Sequence, residues 1–322
     1  MIVRWGLHEL PEVLDELGVH HPYLVTTHRW LDLALPVEPI DTWASSPTHE
    51  VERIAGLARG ATVMLALGGG SAIDLAKAVS AQTGLPLVSI PTTYSGAEWT
   101  TFYGVRDLDR KMRGGGAGAH PAGIVYEPQL TLDLPPAESC GTALNALAHC
   151  AEALYVEGHN DEADVHAITG ARLISDWLPQ VLADGSDLGA RTALLEGAAE
   201  GGAALGGSFL ALGHAMAQAL GGRYGLPHGA LNAICLPAAL RFNEEAVPEA
   251  IETLAEAMGV IDPAAWVEET ARSVGITGLG ALGVPEEDLP EVAEATAQRP
   301  GARANPRPAS PTQIEQLLES VW

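Results

Sequence analysis

Thr62-Val63-Met64-Leu65-Ala66-Leu67, followed at once by Gly68-Gly69-Gly70-Ser71 and then by Ala72-Ile73-Asp74, is the stretch that decides the fold class. The first six residues form a near-continuous apolar run, the pattern of a strand covered on both faces in a parallel sheet. Ala72 to Gln82 reads as a helix, so the glycines and the serine form a strand-to-helix turn. Glycine there admits positive φ and lets the backbone approach a ligand closely. The exposed N–H groups of the first helical turn, together with the helix dipole, favour an anion such as a pyrophosphate. The triplet fits neither the G-x-G-x-x-G nor the Walker pattern. A plain turn needs only one glycine, so three of them point to a bound phosphate.

On either side of this turn, short apolar runs alternate with helical stretches. Residues 23–27 and 85–90 read as strands, and 123–126 as a shorter one; 9–17 and 49–59 read as helices. The alternation predicts an open parallel α/β sheet of Rossmann-like type over residues 1–135. Pro91-Thr92-Thr93-Tyr94-Ser95-Gly96-Ala97-Glu98 leaves the carboxyl end of the next strand, where open sheets bind their ligands. Its hydroxyls suit phosphate, ribose or amide groups. Thr26-Thr27-His28 ends the first strand without the acid that often binds the adenosine ribose, so NADPH is expected to be accepted alongside NADH.

After Leu134-Pro135-Pro136 the pattern becomes helical to the end of the chain, which predicts a second, all-α domain over residues 136–322. Helices are expected over 138–155, 162–181, 188–220, 248–258, 264–274, 286–297 and 312–321, the last with Thr312 and Glu315 as a capping box. Gly114 to Gly118 reads as a flexible loop or lid.

Composition excludes several function classes. A net charge of -24, from 41 acids and 17 bases, repels nucleic acid and anionic membranes. It also repels an anionic substrate, which then needs local cations. No run approaches the ~20 apolar residues of a membrane span, and no signal-peptide pattern opens the sequence, so the expectation is cytoplasmic. Cys140, Cys150 and Cys235 lack metal-site spacing and read as buried thiols.

The helical half supplies candidate chemistry. Asn145 and His149 stand four apart, on one helix face, and His214 and Gln218 repeat that geometry. His228 follows in Leu226-Pro227-His228-Gly229. A single such histidine is more often a satisfied core residue; three among small residues that open space point to a site.

Taken in order, GGGSAIDLAKA, PTTYSGAEWT, NALAH, HAMAQALGG and LPHGALNAICLP resemble the iron-containing alcohol dehydrogenase superfamily over nearly the whole chain. The resemblance implies the dehydroquinate synthase-like fold, with a nucleotide-binding domain, a helical domain and a site in the cleft between them. It also implies a cofactor set of Gly69, Gly70, Ser71, Asp74, Thr92, Ser95, Thr101, Lys111 and Leu130. Asp74 has a second reading, as a first-turn acid satisfying the helix dipole. The family's metal, held by one aspartate and three histidines, maps onto Asn145, His149, His214 and His228. An amide in place of the carboxylate weakens a hard-cation site, although His149, His214 and His228 alone are a set that can hold zinc.

Asn145 in N-A-L-A-H, with Ala304-Asn305-Pro306-Arg307-Pro308 before the final helix, is similar to the maleylacetate reductase branch of that superfamily. This branch implies a metal-free NADH- or NADPH-dependent reduction of 2-maleylacetate to 3-oxoadipate in aromatic catabolism, by an enzyme that is often dimeric. Gln218 departs from the branch, standing where a second histidine is usual, and so does the glycine-rich stretch from Met112 to Gly123. In the expected mechanism hydride adds to an alkene conjugated with a carbonyl. His214 and His228 stabilise the enolate and return a proton, while His149 and Asn145 bind or orient the substrate. Substrate carboxylates need a cation, and Lys111 and Arg113 flank the glycine stretch; Gln218 is a further substrate contact. The alternatives are a metal-dependent alcohol or polyol dehydrogenase that tolerates Asn145, and a cofactor-binding relative without turnover.

Overall fold

A computed structural model describes residues 1–322, which divide into two compact units. The first comprises Met1–Thr93 and Ala97–Thr131; the second comprises Tyr94–Gly96 and Leu132–Trp322.

In the first unit the strands are β1 (Ile2–Trp5), β2 (Pro22–Val25), β3 (Asp41–Trp43), β4 (Val63–Gly68), β5 (Leu87–Pro91), β6 (Tyr103–Arg106), β7 (Met112–Gly116) and β8 (Pro121–Tyr126). Its helices are α1 (Leu10–Glu16), α2 (Val51–Leu57) and α3 (Gly70–Thr83). Six strands make one sheet in the order β1-β8-β5-β4-β2-β3, every pair parallel. β4 lies inside this sheet and its side chains alternate between two cores. Val63, Leu65 and Leu67 join Val88, Ile90 and the α1 residues Leu10 and Val13 on one face. Met64 and Ala66 join Ile54, Ile73 and Val79 on the other. Burial on both faces explains the unbroken apolar run. Shortening the wholly buried Leu65 to alanine costs about 2–5 kcal/mol.

From β2 the chain moves outward to β3, then returns past β2 to β4 and continues the other way. The β2/β4 pair is therefore the switch point of the sheet, where open α/β folds bind ligands beyond the carboxyl ends. The glycine turn leaves β4 at that end.

Three features of the first unit differ from the sequence expectation. β1 and β3 are edge strands too short to stand out in the pattern. The Gly114–Gly118 stretch is not a lid: Gly114, Gly115 and Gly116 lie in β7, paired antiparallel with β6. Close packing explains the glycines, because a Cβ on Gly115 would lie 2.9 Å from the Tyr103 carbonyl and one on Gly116 2.9 Å from the Tyr103 hydroxyl. Glycines that fit against a neighbouring strand look like loop breakers when only the local sequence is read.

The second unit is built from α4 (Pro136–Ala153), α5 (Asp161–Ala183), α6 (Leu188–Gly207), α7 (Leu212–Tyr224), α8 (His228–Asn243), α9 (Pro248–Met258), α10 (Pro263–Ser273), α11 (Leu289–Ala297), α12 (Pro300–Arg303) and α13 (Pro311–Ser320). The single helix expected over 188–220 is two helices, α6 and α7, bent by 99° at the break. A carboxylate from elsewhere makes the break possible. Glu152 on α4 accepts from the N–H groups of Ala211 (2.6 Å) and His214 (3.0 Å), supplying acceptors that the first turn of α7 lacks within itself. No local signal announces it. α8 was not expected because it is buried almost all round from Leu231 to Leu240 and shows no amphipathic stripe. The capping box before α13 is Ser310 with Gln313, one turn earlier in register than Thr312 and Glu315.

Arg191 on α6 is 1% exposed and is satisfied by neutral oxygens: the Tyr94 hydroxyl (3.1 Å), Ser139 Oγ (2.7 Å) and the carbonyls of Gly185 and Leu134. It fixes Tyr94–Gly96 within the helical unit. No single helix is long and apolar enough to cross a membrane. The three cysteines are buried and unpaired, with burial pushing the Cys140 thiol up to about 12.

Candidate active site

The glycine turn of the first unit is built from main chain. Gly68 has φ 152°, a conformation that disfavours a side chain. Gly69 is the extended N-cap of α3, and Gly70 opens the helix. A Cβ on Gly69 would lie 2.9 Å from Thr93 Cγ2, so only glycine leaves this space open. The Thr92 N–H donates to the Gly68 carbonyl at 3.1 Å, tying the threonine loop to the glycine turn. Thr93 Oγ1 is buried without a partner. An open cradle, a helix N-terminus and an unsatisfied hydroxyl fit a phosphate of a dinucleotide.

The remaining positions expected to contact cofactor are spread over different surroundings. Ser71 is exposed at the start of α3, and Thr92 is buried beside the glycine turn. Asp74 ties the hairpin to α3 through the Gly104 N–H (3.1 Å) and Lys77 Nζ (3.0 Å). That tie goes beyond a first-turn acid. Lys77, 1% exposed, also donates to Thr100 Oγ1 and the Phe102 carbonyl. Thr101 is exposed, and Lys111 is exposed at the hairpin turn. Leu130 packs into the sheet core. Arg113 holds Asp107 in an ion pair within the hairpin. Ser95 lies in the segment Tyr94–Gly96, which belongs to the second unit.

In the second unit the expected residues converge. His149 and His214 stack with ring centroids 4.8 Å apart, and His228 follows 5.9 Å from His214. α4, α7 and α8 supply one histidine each, and side-chain amides join them. The Asn145 amide nitrogen donates to the Ser95 carbonyl at 2.9 Å and lies 3.4 Å from His149 Nε2. The Asn145 amide oxygen accepts from Asn232 Nδ2 at 2.5 Å, and that nitrogen is also 3.0 Å from His228 Nε2.

His214 is held differently. Its Nδ1 lies 2.8 Å from Glu152 Oε2, and both side chains are essentially inaccessible. Facing a carboxylate, Nδ1 carries the proton, which leaves the Nε2 lone pair; Nε2 is buried with no partner. His149 is pushed well below the ordinary histidine value, mainly by burial and then by the neighbouring His214 and His228. It stays neutral.

Three contributors escaped the sequence reading. Glu152 and Asn232 had usable signals: Glu152 stands three residues after His149, and Asn232 four after His228, each on the face of its histidine. Arg299 had none, because it reaches α7 from a distant loop. Its guanidinium donates to Gln218 Oε1 at 3.3 Å and to the Gln218 carbonyl at 3.1 Å.

Residues 3–128 match the iron-containing alcohol dehydrogenase family, and residues 139–322 match the C-terminal part of the Fe-containing alcohol dehydrogenase family. Maleylacetate reductase from Burkholderia cepacia is 39% identical over 264 residues, covering 82% of this chain and 74% of that protein. Maleylacetate reductase 1 from Rhodococcus opacus is 36% identical, covering 100% of this chain and 87% of its own length. The crystal structure of maleylacetate reductase from Agrobacterium tumefaciens superposes with a TM-score of 0.89 at 31% identity, covering 100% of this chain and 95% of that one. A glycine turn at the switch point of a parallel sheet, a three-histidine cluster on a helical unit and these matches agree, and the chain belongs to the iron-containing alcohol dehydrogenase family of nicotinamide-dependent oxidoreductases, in its maleylacetate reductase-like branch.

Proposed function

We propose that this enzyme is an NADH- or NADPH-dependent maleylacetate reductase that works without a metal. The observation that carries the metal-free reading is the pair of amides, Asn145 and Asn232, laced through the histidines. A carboxylate at position 145 would offer a metal an anionic oxygen; the amide oxygen present is already taken by Asn232. The same Asn232 nitrogen faces His228 Nε2, the atom whose lone pair a metal would need. The side chains of His, Cys, Asp and Glu form no group of three arranged to hold an ion. This donor set does not fit a metal.

Gly69, Gly70, Ser71 and Thr92 are the proposed binding groups for the dinucleotide phosphates, and Asp74, Ser95, Thr101, Lys111 and Leu130 complete the cofactor set implied by the family. When bound, the reduced nicotinamide supplies hydride. The protein's own task is to stabilise the negative charge that grows on the substrate's carbonyl oxygen and to return a proton to carbon. His214 suits the first task, since Glu152 stabilises its protonated form and its Nε2 is the unsatisfied atom of the cluster. His228, only half-buried on α8, is the proposed proton donor. His149, neutral, and Asn145 orient the substrate through hydrogen bonds. Gln218 on α7 is a substrate contact, and Arg113 and Lys111 are cations available to a carboxylate.

Oxidation of NADH and of NADPH by maleylacetate, followed with and without a strong chelator, tests the reading. Turnover unchanged by chelator is expected. Absence of turnover with both cofactors sinks the reductase assignment, and loss of turnover with chelator sinks the metal-free one.

A further inference from the structure

We infer that Arg299 is the carboxylate-recognising residue of the site, set beside the histidines by Gln218. The inference rests on the reading of the substrate as an unsaturated keto-dicarboxylate, and adds the group that selects it.

A protein of net charge -24 repels a dianion and needs a local cation to hold one. The other well-placed arginines of the helical unit have different work. Arg223, Arg241 and Arg307 each hold a carboxylate of the protein. Arg191 is sealed in the interior on neutral oxygens. Arg299 is half-buried, and its guanidinium rests on the side-chain and main-chain oxygens of Gln218.

Gln218 is one helical turn after His214 on α7, so the two side chains share a face. His214 Nε2 is buried and unsatisfied on that face. The segment carrying Arg299 is brought there by contact that only glycine permits. A Cβ on Gly301 would lie 2.8 Å from the Ala211 carbonyl, at the start of α7. Close approach of α12 to α7 thus delivers the preceding Arg299 to the His214 helix. An arginine fork held by an amide keeps its charge and its planar geometry, and a carboxylate is a stronger acceptor than the amide it would replace. The residue standing where relatives of this branch usually have a second histidine is then the support for a cation.

The experiment pairs a change in the protein with a change in the substrate. Arg299→Met is compared with wild type using maleylacetate and its dimethyl ester, with NADH saturating. For maleylacetate, KM is expected to rise about 10- to 100-fold, the range of one charge-assisted fork, with kcat changed less than threefold. For the uncharged ester, kcat/KM is expected to change less than threefold. An equal loss on both substrates, or a maleylacetate KM within twofold of wild type, overturns the inference. Should Arg299→Met fail to fold, Arg299→Lys decides the matter: it keeps the charge and loses the fork, so a rise in maleylacetate KM of at least threefold supports the proposal and an unchanged KM overturns it. Failure of the wild-type enzyme to turn over maleylacetate is a separate result, which removes the substrate reading itself.

Discussion

Around the end of β4 the groups offered to a ligand are main-chain N–H groups, exposed because Gly68, Gly69 and Gly70 carry no side chains. On α4, α7 and α8 they are imidazoles, each steadied by a second side chain that comes from the same helix or another one. The first arrangement is local. It needs one strand, one turn and one helix, and thirteen consecutive residues encode it. The second is assembled from positions far apart in the chain, and its atoms have direction only because Glu152, Asn145 and Asn232 supply it. A site made of backbone tolerates most changes except bulk, whereas a site made of paired side chains depends on each partner.

Predictions follow that contrast from the largest effect downwards. His214→Ala removes the group with the unsatisfied Nε2 and is expected to lower kcat by about 10²–10⁴-fold with KM for NADH unchanged; steady-state kinetics check it, and wild-type kcat would break the side-chain half of the comparison. Glu152→Gln leaves His214 in place and disturbs only its orientation and charge. A fall in kcat of about 10- to 100-fold is expected, comparable to loss of an outer-shell partner elsewhere, and the ¹⁵N spectrum of His214 should show loss of the Nδ1–H tautomer. Gly69→Ala adds one methyl against Thr93. The KM for NADH is expected to rise about tenfold, near 1.4 kcal/mol, with kcat recovered at saturating cofactor. Recovery is what distinguishes a binding loop from a reaction centre.

The smallest effect concerns an acid outside both sites. Glu98 is buried, accepts from the Tyr126 hydroxyl at 2.8 Å and leaves Oε2 unsatisfied. Burial pushes its carboxyl above the ordinary value, only partly offset by its own main-chain hydrogen bond, Tyr126 and Lys77. Its contribution to stability is therefore fully present below the unfolded-state value and is lost as pH rises through the higher folded value. Above that window the native state carries a buried charge. Glu98→Gln should raise the Tm by about 2 °C or more at pH 7.5 and by less at pH 4.5, read by thermal melts. An increment larger at the acidic pH would refute the sign.

The same contrast explains what the sequence disclosed. Strands β2, β4, β5 and β8 and the glycine turn were legible because each announces itself within a few residues. The histidines and Asn145 were legible through helical spacing. The break between α6 and α7 was not, since it depends on Glu152, some sixty residues earlier in the chain. β7 was misread because its glycines answer to Tyr103, across a hairpin. Arg299 was missed because its position follows from the packing of Gly301 against Ala211, which no local periodicity records.

Arg191 and Tyr94 have a consequence for how the gene can be cut. The segment Tyr94–Gly96 lies between two parts of the first unit in sequence, yet it belongs to the second, where Tyr94 meets Arg191 and Ser95 meets Asn145. During synthesis this tripeptide leaves the ribosome well before its partners exist. It must wait, unmatched, until α4 and α6 have been made. A fragment ending at residue 135 would strand it, and one beginning at 136 would leave Arg191 and Asn145 each short of an acceptor. Fusion or circular permutation designs should therefore treat the helical unit as discontinuous, with its first instalment delivered by the loop after β5.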